Sequence, residues 1–149
     1  MSNPLLLSTV SKILGPDFLV DNTALSITWP GHNTFGPHRD RPFDGNSDHA
    51  SSPKIDAQFL PPKSFPMSVQ VVWNFDHFTG ANGGFFFVPG SEQVPLGAAY
   101  ADHVVPDDAQ FVAATKGSAL VANGQVLHGA GPNFSPRPRI ALLVQYSRR

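Results

Sequence analysis

His38 and Asp40 stand two residues apart in the stretch "GPHRDRPF", and His128 ends the apolar run of "QVLHGAGPN". Residues i and i+2 of a strand share a face. An extended "HRD" therefore aims an imidazole and a carboxylate at one point and turns Arg39 away. One more imidazole from a neighbouring strand completes two histidines and a carboxylate on one face of a metal, with the other face open. That is the donor set of non-haem Fe(II) oxygenases, and the open positions suit a chelating cosubstrate followed by O2. Eleven residues after His128, Arg139 opens the run "RIALLVQY". If the two strands are antiparallel neighbours, Arg139 comes near the metal but not onto it. A guanidinium there matches a carboxylate bidentately. The implied small molecule chelates with one end and carries a carboxylate at the other, which describes 2-oxoglutarate. An isolated H-x-D is a common chance pair, so the weight rests on His38, Asp40, His128 and Arg139 as a set.

The elements that must position these residues are short. The chain holds 15 prolines and 13 glycines, which cut it into brief segments. The one helical segment is residues 4–14, with Ser2 or Asn3 as cap, Pro4 at the first helical position and Gly15 as stop. Strand signals follow at 24–29, 68–75, 85–90, in "QFVAAT", "GSALVAN" and "QVLHG", and at 139–147. Asn82-Gly83 reads as the turn of a hairpin joining the second of these to the third. About eight strands without a repeat period predict an all-β fold, a jelly roll (double-stranded β-helix) with one N-terminal helix. Residues 41–66 are long, polar and Pro-rich, which predicts a lid-like loop over the site.

Composition narrows the function classes. The 149 residues suit one domain spanning 1–149, large enough to bury a core. A net charge of −1 without basic stripe or acidic tail predicts no nucleic-acid or membrane-surface partner. There is no cysteine, which excludes disulfides and thiolate chemistry. The apolar stretch "PLLLSTVSKILG" is too short and too polar for a membrane span and lacks the basic start of a signal peptide, so a cytoplasmic location is the default.

Four stretches in order, "HRD", "VVWNFDHFTGANGGFFFVPGSEQ", "KGSALVANGQVLHGAGPN" and "RPRIALLVQY", resemble the phytanoyl-CoA dioxygenase family of Fe(II)/2-oxoglutarate oxygenases. The match covers the H-x-D, the "NG…PGS" segment, the "HG.G.N" segment and the spacing from His128 to Arg139. The resemblance implies a jelly-roll core, Fe(II) on His38, Asp40 and His128, and 2-oxoglutarate on Arg139. It also places Trp73 and Asn74 on the strand facing the site. One of the two lines the cosubstrate pocket, and strand parity alone leaves open which. The implied reaction consumes 2-oxoglutarate and O2, releases succinate and CO2, and hydroxylates a small organic substrate. Glu92 stands where the family usually has a histidine, and Ala130 where a small hydroxyl residue is common.

Two other readings compete. A cupin-type metalloenzyme that is not an oxygenase would not need Arg139. A non-catalytic ligand-binding jelly roll would not need intact His38, Asp40 and His128. Arg137, between two prolines, is the rival to Arg139 and ranks lower because it sits in the turn. His32, His49, His77 and His103 read as surface or structural residues, with His49 in the lid-like loop. The residues name neither the substrate nor the oligomeric state.

Overall fold

The computed structural model describes residues 3–40, 66–93 and 104–149. The expected loop at 41–66, apart from its last residue, lies outside the described residues, as do His49 and His103. The order is α1 (Pro4–Leu14), β1 (Phe18–Thr28), β2 (Phe35–His38), β3 (Ser68–Asn74), β4 (Phe85–Phe87), β5 (Gln110–Phe111), β6 (Ala119–Asn123), β7 (His128–Ala130) and β8 (Arg139–Arg148). A short 3-10 turn at Ser91–Gln93 follows β4. No helix among the described residues is long and apolar enough to cross a membrane.

The helix begins and ends where its residue chemistry requires. The Asn3 side chain accepts from the Leu6 amide at 3.1 Å, Pro4 opens the first turn, and the Gly15 amide donates to Ser11 O at 2.9 Å. Leu6, Val10 and Leu14 form one buried stripe. They pack on Val69, Val71, Val144 and Tyr146 of β3 and β8. Each fully buried aliphatic side chain of this kind stabilises the fold by about 1.5–3 kcal/mol.

The strands form two antiparallel sheets of four, in the orders β1-β8-β3-β6 and β2-β7-β4-β5. This is the jelly-roll arrangement that the strand pattern predicts. Two expected pairings are different. Asn82-Gly83 does make a tight turn: Asn82 Oδ1 accepts from the Thr79 amide at 2.9 Å and Gly83 takes a left-handed φ of 77°. The turn carries the chain from one sheet to the other, and β4 pairs with β5 and β7 instead of β3. Likewise β7 and β8 are not neighbours; they lie in opposite sheets. Alternation in sequence marks which face of a strand is buried, not which sheet receives the strand.

Strand parity sorts the β3 side chains. Val69, Val71 and Trp73 face the helix, whereas Val72 packs with Phe85 of the second sheet, so Ser68, Gln70 and Asn74 share its inner face. On β8, Val144 and Tyr146 face the helix and Ala141 faces inward, which places Arg139 and Gln145 on the inner face. The second sheet is tight around β7. A Cβ at Gly129 would lie 2.6 Å from both Phe35 O and a Phe86 ring atom. Gly129→Ala is therefore expected to destabilise the fold by about 1–3 kcal/mol, the usual range for overpacking. A urea titration checks this: the midpoint should fall with no change in slope.

Candidate functional site

β2 and β7 pair with His38 opposite His128. The ring centroids are 4.6 Å apart. Asp40 lies two residues beyond His38 and just past the end of β2, where its amide donates to Gly124 O at 2.9 Å. That bond holds the carboxylate on the side of the histidines without a strand under it. One ligand atom from each of His38, Asp40 and His128 falls within 4.8 Å of the others. His128 Nε2 and Asp40 Oδ1 are 3.6 Å apart, too long for a direct hydrogen bond.

The two imidazoles are oriented from behind. His38 Nδ1 lies 3.0 Å from Gly36 O, and His128 Nδ1 lies 2.8 Å from Val126 O. A carbonyl only accepts, so each Nδ1 carries the hydrogen, and in His128 this leaves Nε2 to face Asp40. Histidine metal ligands are commonly held this way. His128 Nε2 is buried and has no hydrogen-bond partner. A buried acceptor left bare is costly, and a cation bound between the three side chains would satisfy it. Phe85 stacks on His128 at 5.2 Å, and the partly exposed Phe35 meets the His38 ring edge-on at 5.1 Å. The donor set, its orientation and this bare nitrogen all fit a divalent metal.

Arg139 is only 3% exposed. Its Nε donates to Gly83 O at 2.9 Å and one Nη donates to Thr28 Oγ1 at 2.6 Å. Its other Nη has a single long contact, 3.4 Å, to Ser26 Oγ. The guanidinium also lies 4.7 Å from the centre of the Phe78 ring. Phe78 and Phe85 belong to one apolar cluster, which links Arg139 to the ring stacked on His128. Burial lowers the Arg139 pKa to about 10, with Asp76 opposing the shift, so the side chain remains a cation near neutral pH. No carboxylate among the described residues comes within ion-pair distance of it, because Asp76 instead accepts from the Ile140 amide at 2.8 Å.

The remaining sequence candidates separate clearly. Asn74 is buried on the inner face; its Nδ2 donates to Ser118 Oγ at 3.0 Å and its Oδ1 has no partner. Trp73 is on the other face, against the helix-side cluster, and is not brought to the metal-ligand group. Arg137 is exposed in the β7–β8 connection, and His32 and His77 are exposed. Glu92 lies in the 3-10 turn and Ala130 at the end of β7. The "HG.G.N" asparagine, Asn133, is a structural tie: its Nδ2 donates to Thr28 O and Arg137 O, and its Oδ1 accepts from Ser135. Sequence reasoning missed Thr28, Ser26 and Gly83 O around Arg139, and Phe85 against His128. Each comes from an element far away in the chain, and no local spacing points to it.

The framework that carries these residues is shared with known proteins. The phytanoyl-CoA dioxygenase family model matches residues 4–141, and the chain belongs to that family. It is 28% identical over 150 residues to dioxygenase af480 of Aspergillus fumigatus, covering 97% of this chain and 42% of that protein. Among solved structures it is similar to EvdO2 from Micromonospora carbonacea var. aurantiaca complexed with 2-oxoglutarate, with a TM-score of 0.72 and 17% identity over 99% of this chain and 61% of the other. It is also similar to the nickel complex of the non-haem monooxygenase ThoJ, with a TM-score of 0.69 and 24% identity over 98% of this chain and 51% of the other. The chain thus spans 42% of the curated relative and between half and two thirds of these two solved chains.

Burial also makes the site pH-sensitive. It pushes the His128 pKa below its ordinary 6.5, and the hydrogen bond to Val126 offsets only part of that shift. The unfolded chain therefore binds more protons than the folded one as pH falls through 6.5. Stability of the metal-free protein is expected to drop over this range. Melting temperatures between pH 8 and pH 5 should fall in the native chain, with a shallower slope in His128→Gln.

Proposed function

We propose that this chain carries a non-haem iron oxygenase site, with Fe(II) held by His38, Asp40 and His128 and the far carboxylate of 2-oxoglutarate held by Arg139. One observation carries the reading: the His38, Asp40 and His128 cluster and a buried guanidinium with no ion-pair partner among the described residues both pack against one apolar cluster, through Phe85 and Phe78. With Fe(II), 2-oxoglutarate and O2 bound, the chemistry supplied is oxidative decarboxylation to succinate and CO2, with the second oxygen atom going into a C–H bond of a small organic substrate.

The chain's own residues bind, orient and shield. Gly36 O and Val126 O keep both Nε2 atoms aimed inward, so little reorganisation accompanies metal binding. Thr28 and Gly83 O hold the Arg139 plane and leave one Nη toward an incoming carboxylate. An anion there would neutralise a cation that burial alone disfavours. Asn74, on the same inner face, is proposed as a further cosubstrate contact through the second hydrogen of its Nδ2, the first being donated to Ser118 Oγ. Phe85 and Phe35 screen the histidines with apolar surface.

Two sets of variants test this. His38→Ala, Asp40→Ala and His128→Ala should each lose most bound iron while keeping the native circular dichroism spectrum; full iron occupancy in His128→Ala overturns the ligand assignment. Arg139→Ala should raise the 2-oxoglutarate requirement far more than it affects iron. Loss of a buried charge-assisted pair costs about 2–5 kcal/mol, or about 30-fold to several-thousand-fold in affinity. Arg137→Ala, in the exposed turn, should leave that affinity near native. A larger loss in Arg137→Ala than in Arg139→Ala would reverse the choice of arginine.

A further inference from the structure

The inner face of the β1-β8-β3-β6 sheet carries a row of carboxamides to which the proposed metal and cosubstrate sites assign no role. In the strand register, Asn22 of β1 lies opposite Gln145 of β8, and Gln145 lies opposite Gln70 of β3. The row runs from an exposed end to a buried one: Asn22 is exposed, Gln145 half-buried and Gln70 only 8% exposed. The Gln70 carboxamide takes no hydrogen bond from any described residue. Two positions before it on the same face, Ser68 is fully buried and its Oγ has no partner.

Ser68 Oγ is a polar atom buried without a partner, which is costly; the Gln70 carboxamide is not sealed from solvent in that way, so a ligand can reach it. Ser68, two positions before Gln70 on the same face, connects to the proposed metal ligand Asp40 through Gly124. Ser68 O accepts from the Gly124 amide, Gly124 O accepts from the Asp40 amide, and a Cβ at Gly124 would collide with Ser68 Oγ and reach Asp40 Cβ at 3.2 Å. Arg139 is at the far end of β8, six residues from Gln145, or about 20 Å along the strand at the usual rise. A five-carbon diacid with its tail on Arg139 falls short of that distance along the strand.

We infer that Gln70 and the carboxamide row around it bind the primary substrate through an uncharged polar group that donates and accepts hydrogen bonds at adjacent atoms. This inference rests on the oxygenase reading above and names the substrate chemistry that such a site would select. A carboxamide offers both N–H and C=O in one plane, so it pairs with a vicinal diol or an amide; it offers a carboxylate or an ammonium no countercharge.

The test uses the full chain labelled with 15N in its glutamine side chains, with Zn(II) and 2-oxoglutarate present and again with neither. Methyl α-glucopyranoside is the diol probe, acetyl-alanine methylamide the amide probe, and tetrahydropyran, which accepts but cannot donate, the control. One of the first two should shift the Gln70 side-chain signals saturably, and its apparent Kd, followed on the neighbouring Gln145 signals in both proteins, should rise at least ten-fold in Gln70→Leu. Which one binds separates a polyol substrate from an amide one. Gln70→Met should keep or raise the melting temperature, because an unpartnered carboxamide contributes nothing to the fold. Failure of both probes, equal binding by tetrahydropyran, undiminished binding in Gln70→Leu, or a lowered melting temperature in Gln70→Met overturns the inference. Bound zinc and 2-oxoglutarate with no probe response would remove the row alone. Probe binding without zinc or 2-oxoglutarate binding would remove the oxygenase reading and leave the row.

Discussion

The buried guanidinium of Arg139 is the interaction on which this architecture turns. It sits at the first residue of β8, opposite Thr28 at the end of β1, and it donates to Gly83 O in the connection that carries the chain between sheets. One side chain thereby ties together the edge strand, its neighbour and the crossing turn. Burying a cation is expensive unless its donors are satisfied. Here two nitrogens are satisfied by the protein and the third has only a long contact. The fold meets most of that cost and leaves a remainder that an anion can meet.

The same economy appears at the histidines. The peptide carbonyls of Gly36 and Val126 use one nitrogen of each ring and leave the other inward. Both carbonyls belong to residues two positions before the histidine, so the orientation is built into the local chain, within β2 for His38 and in the turn before β7 for His128. Asp40 depends on a longer connection, because it lies past the end of β2 and is held by Gly124. Gly124 in turn touches Ser68, so one side of the triad, the β6–β7 turn and the start of β3 share a single packing contact. Space at that point is small enough that glycine alone fits without displacement.

Family membership and fold agree with this picture at different levels of detail. The family match spans nearly the whole chain and identifies the ancestry of the framework. The solved structures share the sandwich at low identity, which supports the framework and not the chemistry of any one relative. Neither names a substrate, and that question rests on the polar side chains that line the inner face of the β1-β8-β3-β6 sheet.

Local sequence by itself determined the helix with its Asn3 and Gly15 ends and the approximate strand segments, and it singled out His38, Asp40, His128 and Arg139 as candidates, the first three of which the fold clusters. Those features rest on short-range physics: capping groups, period-2 burial and ligand types at fixed spacing. The tertiary structure decided what spacing cannot carry. It sent β3 and β4, and β7 and β8, to opposite sheets, although a turn signal and chain order suggested pairing. It turned Trp73 to the helix and Asn74 inward, because only the position of α1 distinguishes the two faces of a strand that is buried on both sides. It supplied Thr28 and Gly83 O to Arg139 across separations of 111 and 56 residues. A strand records which of its residues alternate together; only the packed partner on each side gives those two faces their different chemistry.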